Sequence, residues 1–311
     1  MQKILLLGGL GFIGSNILSY IDENLKDVYE VIIFDKLPRH PYGLRFECVK
    51  TIYTGDFTDE TKISNIFAEN KIDLVIHLLS STVPATSNNA RYDVESNLIP
   101  TLKLLSIMDS YGVKDIVYMS SGGAIYGDYL QKIHSEEDPV YPKSSYGIVK
   151  LAIEKYLLSY SELYGFNSLI LRLSNPYGRF HYNDHQGIIN VAIRKALRKE
   201  KLQIWGTGTG VKDYIFIDDV CRILFCIIGK GVKTNVINIA SGDAHSVNEV
   251  AENVQKLIPD FVYEHVQESL LDVQSFELDT TRLKRIIGEK YTCTPFTIGI
   301  QKTIEWQRDN L

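Results

Sequence analysis

A strand that runs into a glycine-rich turn near the start of the chain constrains the fold most strongly. Ile4–Leu7 is apolar without polar alternation, which predicts a strand that is buried on both faces. Glycines follow at every third position, Gly8, Gly11 and Gly14, and a helix is predicted to begin near Ile13. In such a turn the first glycine makes the tight bend, the second lets the backbone approach a pyrophosphate, and the third lets the helix pack closely on the strand.

A second apolar run, Val31–Phe34, ends in Asp35, roughly twenty residues beyond the last of these glycines. A carboxylate at this strand end can accept hydrogen bonds from the hydroxyls of an adenosine ribose. Its charge would repel a 2′-phosphate, which favours NAD over NADP, although Arg39 and His40 keep NADP as an alternative. The strand, the glycine turn, the helix and the carboxylate together predict a dinucleotide-binding site.

Strand and helix patterns alternate through the first half of the chain. Strands are predicted at 3–7, 30–34, 73–77, 115–119 and 168–173, with helices at 13–25, 60–69, 92–111 and 146–164 between them. This order predicts an α/β fold, a Rossmann-type doubly wound parallel sheet whose strand ends share one edge. We expect a dinucleotide-binding domain at 1–175, to which the chain returns around 214–240, and a smaller α/β substrate-binding lobe at 176–311.

Composition narrows the function classes. The chain has 311 residues and a formal net charge of −5, which gives no general attraction to nucleic acid. No apolar run approaches the length of a membrane span. The four cysteines show neither a Cys-x-x-Cys pair nor a metal-binding spacing, so we expect reduced thiols, no metal site and a cytoplasmic protein.

The pair Tyr146 and Lys150 carries the strongest catalytic signal. Four residues apart on a predicted helix, the two side chains project from the same face. A lysine ammonium beside a phenol is expected to lower the tyrosine pKa, so that the phenol can transfer a proton near neutral pH. Ser120 and Ser121, at the end of the fourth predicted strand, add hydroxyls to this site. The alternative is a surface helix that carries the pair by chance, because the chain has 19 tyrosines.

These motifs are accompanied by three further segments, Gly55–Phe57, Arg172–Gly178 and Lys212–Val220. With them, nearly the whole chain resembles the extended short-chain dehydrogenase/reductases, in the branch of NAD-dependent nucleotide-sugar epimerases, dehydratases and reductases. The resemblance implies a Rossmann fold with bound NAD, a nucleotide-sugar substrate and redox chemistry at a sugar carbon.

The resemblance also implies roles for individual residues. The NAD site would consist of Gly8, Gly11, Phe12, Ile13, Gly14, Asp35, Lys36, Asp56, Phe57, Leu78, Leu79, Asn97, Ser120, Tyr146, Lys150 and Pro176. The nucleotide-sugar would contact Thr82, Ser121, Gly122, Tyr146, Asn175, Lys212 and Phe276. The catalytic residues would be Tyr146, Lys150 and Ser121.

Three departures from the family pattern concern the substrate side. Gly122 stands where this branch usually has a Ser or Thr, four residues before Tyr126, and we expect Ser121 to replace that hydroxyl. Lys212 replaces the usual arginine, which keeps the charge but loses a bidentate fork for phosphate. Ser269 replaces the usual arginine of an Arg-x-x-Asp motif before the last helix.

Several residues carry two interpretations. Trp205 would pack either near the nucleotide base or in the core. Phe276 falls where the resemblance places a residue that gates the sugar pocket, and core packing is its alternative. His77 ends a strand and is expected to be a hydrogen-bonded structural histidine rather than a general base. Pro100 is expected to kink its helix.

The resemblance implies reversible hydride transfer at carbon 4 of the sugar, and three hypotheses stay open. A UDP-hexose 4-epimerase is favoured, and an NAD(P)H-dependent 4-ketoreductase of a dTDP- or other NDP-4-keto-6-deoxyhexose is the alternative. A non-catalytic dinucleotide-binding sensor is the third. No Asp-Glu pair follows Ser121, which argues against a 4,6-dehydratase. The resemblance also implies a homodimer that pairs helices 92–111 and 146–164 of two chains.

Overall fold

The structure is a computed structural model that describes residues 1–82, 87, 89–127, 133–184, 186–267, 275–288 and 291–310. Three sheets organise these residues: a large parallel one, a smaller mixed one and a separate pair of strands. The Ser269 motif lies outside the described residues. Within them, no helix is both long and apolar enough to cross a bilayer.

Seven parallel strands form the large sheet. They are β1 (Gln2–Leu7), β2 (Tyr29–Asp35), β3 (Val49–Thr54), β4 (Leu74–His77), β5 (Asp115–Ser121), β7 (Asn167–Leu173) and β11 (Asn235–Ile239). Their order across the sheet is β11-β7-β5-β4-β1-β2-β3, so the winding direction reverses between β1 and β4. Ligands bind at such a reversal, outside the carboxyl ends of the strands. The expected doubly wound parallel sheet is confirmed.

Helices cover both faces of this sheet, and β1 shows why. Ile4 and Leu6 point to one face and Leu5 and Leu7 to the other, and all four are fully buried. The first face packs against α1 (Phe12–Asn24), α8 (Ile217–Gly229) and α10 (Thr281–Ile287). The second packs against α2 (Glu60–Glu69), α4 (Ile99–Ser110) and α6 (Ser145–Tyr164).

The segment predicted as one helix at 92–111 is divided. A short helix, α3 (Ala90–Asp93), leads into a π-helical turn at Val94–Leu98, and α4 follows with Pro100 in its first turn. Proline has no N–H to donate to the carbonyl four residues earlier. Just before it, the N–H of Ile99 bonds to the carbonyl of Val94, five residues back, as in a π-helix. The kink that was expected at Pro100 therefore takes the form of a widened turn just before it.

The smaller sheet gathers strands from later in the chain. It contains β6 (Ile133–His134), β8 (Asn175–Tyr177), β10 (Val211–Phe216), β12 (Ala244–Ser246) and β14 (Ser275–Leu278). A separate pair joins β9 (Leu202–Trp205) to β13 (Tyr263–Val266). Around them lie α5 (Gly122–Ile125), α7 (Ile188–Leu197), α9 (Val247–Leu257) and α11 (Phe296–Asn310). The domain boundary at residue 175 and the return of the chain around 214–240 stay predictions; β11, at 235–239, pairs with β7 in the large sheet.

The helix that follows the glycine turn depends on Gly14. A Cβ atom at this position would lie 2.5 Å from the carbonyl oxygen of Gly8 and 2.6 Å from the Cα of Gly9. Because both neighbours are backbone, α1 would have to move away from β1 to make room. We expect Gly14→Ala to lower the free energy of unfolding by about 2 kcal/mol or more, as overpacking of a core does.

A urea titration of Gly14→Ala against the wild type would measure this loss. The matched control is Gly229→Ala, at the end of α8, where an added Cβ meets nothing within 4 Å. That change should be neutral or stabilise by up to about 1 kcal/mol, because alanine has the higher helix propensity. Equal unfolding midpoints for the two variants would contradict the close approach at Gly14.

Candidate active site

The glycine turn presents an open helix N-terminus at the point where the sheet reverses. Gly8 has a φ of 83°, a left-handed conformation that glycine adopts without strain. Gly11 is the N-cap of α1, and a Cβ there would meet only the carbonyl oxygen of Gly8, at 3.5 Å. The N-cap provides no side-chain hydrogen bond to the first backbone N–H groups of α1. This cradle fits a pyrophosphate group.

Asp35 lies directly behind this turn at the end of β2. One carboxylate oxygen accepts a hydrogen bond from the N–H of Leu10 at 2.9 Å, and the other accepts from the N–H of Leu37 at 3.1 Å. The side chain thus fixes the glycine turn to the strand end. Each carboxylate oxygen has a second lone pair for a ribose hydroxyl. The ribose contact itself stays a prediction.

Lys36, Asp56 and Phe57 lie beyond Asp35. Lys36 Nζ is 3.2 Å from an oxygen of Asp56, and both side chains are more than half exposed. The N–H and hydroxyl of Thr58 bond to Asp56 and, with Lys36, hold the pKa of this carboxyl at about 2. Phe57 is buried, with its ring centroid 5.2 Å from that of His77.

The segment after β4 forms the opposite wall. The side chain of Leu79 lies against Gly8, where a Cβ would be 3.1 Å from Leu79 Cδ2. Leu78 packs at the edge of the core on the α1 side of the sheet. Asn97, in the π-helical turn, accepts a hydrogen bond from the N–H of Ser81 at 2.7 Å. A small cavity adjoins this segment, and its lining includes Leu79, Ser80, Thr82, Asn97, Tyr118, Tyr146 and Lys150.

His77 is a structural residue, as expected. Its side chain is buried, and Nε2 lies 3.0 Å from the hydroxyl of Thr101. Burial, assisted by the nearby ammonium of Lys150, lowers the pKa of His77 to about 3. The imidazole is therefore neutral at physiological pH.

Tyr146 and Lys150 both lie in the first turns of α6. Ser144 caps this helix by accepting a hydrogen bond from the N–H of Gly147 at 3.1 Å. Gly147 also allows a close contact with α5, since a Cβ there would lie 2.3 Å from the carbonyl oxygen of Ala124. The glycine beside the tyrosine thus brings the helix against the end of β5.

Lys150 is buried at the centre of the site. Its ammonium donates to the carbonyl oxygen of Met119 at 2.9 Å and lies 4.7 Å from the ring centroid of Tyr118. Burial lowers the pKa of Lys150 to about 8, and the carboxylate of Glu154 acts in the opposite direction. The lysine charge is therefore sensitive to its surroundings near neutral pH.

Burial raises the pKa of Tyr146 to about 12, and the nearby side chain of Ser121 only partly opposes this increase. The expected lowering by Lys150 is wrong for this structure, because the ammonium lies 5.7 Å from the ring centroid and is bonded to a backbone carbonyl. Desolvation therefore outweighs the charge of the lysine.

Ser120 donates its hydroxyl to a carboxylate oxygen of Glu154 at 2.6 Å, and its contact with the cofactor stays a prediction. Glu154 also forms a buried ion pair with Arg172, with Nη2 2.8 Å from Oε2. Arg172 donates to the hydroxyl of Tyr126 at 2.9 Å, and this hydroxyl donates to Asn238 at 2.8 Å.

This network was not predicted from the sequence. The available signal was the spacing, because Glu154 follows Lys150 by four residues and so lies on the same face of α6. The network joins α6 to three strand ends of the large sheet, β5, β7 and β11. It therefore fixes the helix that carries Tyr146 and Lys150.

The predicted substrate residues lie in the smaller sheet and in α5. The amide of Asn175 donates to the carbonyl of Asp213 at 2.8 Å, and Pro176 continues the same strand. Lys212 pairs in register with Phe276 on the neighbouring strand. Phe276 is buried and stands over Gly122.

Trp205 lies at the end of β9 and is 62% exposed. Core packing, one of its two interpretations, is therefore wrong. The exposed side chain of Trp205 is thus accessible to a ligand, and its contact with a base stays a prediction.

The model of a family described as the NAD dependent epimerase/dehydratase family matches residues 4–240. The chain belongs to this family. The resemblance to extended short-chain dehydrogenase/reductases is thereby confirmed, and with it an NAD-dependent enzyme of this type.

Individual relatives agree with this assignment. A putative UDP-glucose 4-epimerase of Methanocaldococcus jannaschii is 30% identical, and the match covers 99% of each chain. A dTDP-glucose 4,6-dehydratase of Neisseria meningitidis is 25% identical over 100% of this chain and 94% of its own length. The crystal structure of a UDP-glucose 4-epimerase of Thermotoga maritima with UDP-glucose has 29% identity and a TM-score of 0.88, and the match covers 99% of both chains.

The buried ion pair beneath α6 gives a stability prediction. Arg172→Met would leave the carboxylate of Glu154 buried without its charged partner, which typically costs about 3–5 kcal/mol. Adding Glu154→Gln removes the unpaired charge, so the double variant should unfold at a higher urea concentration than Arg172→Met alone. A double variant whose loss equals the sum of the two single losses would contradict the pairing.

Proposed function

We propose that the protein is a UDP-hexose 4-epimerase that uses bound NAD. The observation that carries this proposal is the convergence of Tyr146, Ser121 and Lys150 beside the glycine cradle. The similarity to UDP-glucose 4-epimerases over nearly the full chain supports the same chemistry. When bound, NAD accepts a hydride and returns it, and its oxidised ring carries a positive charge.

Tyr146 is the proton-transferring group in this proposal. Its phenolate takes the proton of the sugar 4-hydroxyl as the hydride leaves carbon 4, and its phenol returns the proton when carbon 4 is reduced. Ser121 holds the reacting oxygen in this proposal, and its side chain acts to lower the pKa of the tyrosine. Lys150 lies 5.7 Å from the ring centroid of Tyr146, and in this structure desolvation of the phenol outweighs its positive charge.

The end of β5 supports epimerisation over dehydration. Elimination of water across two sugar carbons requires an acid and a base next to the reacting carbons. Residues 121–127 contain no Asp, Glu, His or Lys, and two glycines begin α5 instead. A 4-keto intermediate formed here would therefore be reduced again rather than lose water.

The test needs no added reductant. The protein is purified without added NAD, one sample is denatured, and the dinucleotide that it releases is measured. A second, native sample is incubated with UDP-galactose, and the formation of UDP-glucose is followed by chromatography. We expect stoichiometric NAD and interconversion in both directions. Absence of interconversion, together with oxidation of added NADH or NADPH by a 4-keto-6-deoxy sugar nucleotide, would replace the epimerase by a ketoreductase.

Tyr146→Phe tests the assigned proton transfer. Loss of the phenolic hydroxyl should reduce the interconversion rate by about 10²- to 10⁴-fold, the usual contribution of a general acid or base. The amount of bound NAD should stay unchanged. Tyr164→Phe, on the same helix and half-exposed, is the matched control and should keep the wild-type rate. A Tyr146→Phe variant within tenfold of the wild type would contradict the assignment.

We also propose that two copies pair through α4 and α6. A groove of about 290 Å³ between these helices is lined by Glu60, Ile99, Leu102, Lys103, Ser106, Tyr156 and Tyr160. Ile99 is 41% exposed and Tyr156 is 44% exposed. Pairing of both helices with those of a second copy would bury this groove in a four-helix bundle.

A cytoplasmic location is part of the proposal and rests on four free thiols.

Charge placed in the groove should separate the copies. We expect Ile99→Lys/Tyr156→Lys to shift the sedimentation coefficient from dimer to monomer, because buried unpaired ammonium groups oppose association. Ile298→Lys is the matched control, since Ile298 is equally exposed but lies on α11. A wild-type protein that sediments as a monomer, or a control that dissociates equally, would contradict the dimer.

A further inference from the structure

His40 lies in the segment that follows Asp35, and its imidazole is buried. Its Nε2 lies 3.1 Å from the hydroxyl of Ser15, in the first turn of α1. This hydroxyl donates its hydrogen to the carbonyl of Gly11 at 2.8 Å, so it accepts from the N–H of His40. Nδ1 of His40 accepts from the N–H of Tyr42 at 3.2 Å. A single neutral tautomer, with the proton on Nε2, therefore uses both ring nitrogens.

These hydrogen bonds fasten the segment after β2 to the glycine turn a second time. At the start of the segment, Asp35 accepts from the N–H of Leu10. Five residues later, His40 bonds to Ser15, whose hydroxyl is bonded to Gly11, the N-cap residue of the cradle helix. Both ends of residues 35–40 are thus fixed to the turn that would hold the pyrophosphate of NAD.

Aromatic side chains from the segment after β8 pack around the imidazole. The ring centroid of Phe180 is 5.8 Å from that of His40, and the ring centroid of Tyr182 is 6.2 Å away. Tyr182 also stacks on Tyr42, with ring centroids 3.7 Å apart. Phe180 has a φ of 62°, a left-handed conformation that is uncommon for a bulky side chain and persists only where the surroundings impose it. Packing around His40 therefore holds a conformation that Phe180 alone disfavours.

The buried position also determines the charge of His40. Burial lowers the pKa of this imidazole below its ordinary value, so the ring is neutral at physiological pH. A neutral ring that already uses both nitrogens offers no charge to a 2′-phosphate. His40 thus supports the structure of the cofactor site and does not favour NADP.

We propose that His40 is a positioning residue of the NAD site: by joining Ser15 to the segment after Asp35, it holds that segment against the cradle helix and slows the loss of bound NAD. The proposal concerns retention of the cofactor and goes beyond the proposed epimerase activity. Without the imidazole, the far end of the segment loses its hydrogen bonds to α1 and opens more often. Bound NAD then leaves the cradle faster.

The experiment measures how fast bound NAD exchanges. Protein loaded with NAD is mixed with an excess of radiolabelled NAD, and the label that stays with the protein after rapid gel filtration is followed over time. His40→Leu keeps an apolar side chain but removes both hydrogen bonds, and we expect it to exchange NAD about tenfold faster than the wild type. An exchange rate within about twofold of the wild type would overturn the proposal.

Ser15→Ala tests the same contact with a smaller change. It removes only the hydroxyl that accepts from the imidazole, and alanine is a good helix former. This variant should also exchange NAD faster, and adding His40→Leu should increase the rate by less than the product of the two single effects, because both changes remove the same hydrogen bond. Wild-type exchange in Ser15→Ala, or single effects that multiply in full, would overturn the proposal even if His40→Leu folds poorly.

Phe261→Leu separates this role from a general loss of stability. Phe261 is as buried as His40, but it belongs to the apolar cluster that α7, α9 and α11 form in the smaller lobe. Its replacement should lower the Tm and leave the exchange rate of NAD unchanged. Exchange as fast in Phe261→Leu as in His40→Leu would show that His40 acts through stability alone and would overturn the proposal.

The outcome is separable from that of the proposed function, because the exchange measurement contains no sugar nucleotide. If the protein reduces a 4-keto sugar nucleotide instead of interconverting UDP-hexoses, the epimerase proposal fails. The exchange rates of His40→Leu, Ser15→Ala and Phe261→Leu still decide whether His40 retains NAD.

Discussion

The buried ion pair between Glu154 and Arg172 is the interaction on which the site depends. Both side chains are almost fully inaccessible, and a charge in such a place is tolerated only when it is paired and hydrogen-bonded. Ser120 and Tyr126 complete the hydrogen bonding of the pair. Because these residues come from β5, α6, β7 and the turn after α5, the pair can form only when all four are in place. Formation of the pair therefore also positions α6, the helix that carries Tyr146 and Lys150.

The network also determines the electrostatics around Lys150. The groups that face its ammonium are Tyr118 and Tyr146, which are neutral, His77, which burial keeps uncharged, and the carboxylate of Glu154. Arg172 is bonded to that carboxylate, so only part of the negative charge of Glu154 acts on the lysine. The pKa of Lys150, at about 8, reflects an apolar environment. In such an environment, a charge on the cofactor would act strongly on Tyr146.

Local sequence signals predicted most of the large sheet. β1, β2, β4, β5 and β7 were expected from apolar runs, and the glycine turn and Asp35 identified the sheet edge that binds ligands. The edge strand β3 was missed, because its residues are only half-buried and carry no continuous apolar pattern. The burial-raised pKa of Tyr146 was missed for a related reason. Sequence spacing shows that a lysine is near, but not that water is excluded from both groups.

The substrate side was harder to predict because it depends on residues far apart in sequence. Gly122 was recognised as a departure from the family pattern, yet nothing near it in the chain indicates what fills its space. Leu278 lies more than 150 residues later and reaches Gly122 only because β14 pairs with β6. The surroundings of position 122 are therefore set by the pairing of distant strands and not by its neighbours in the sequence.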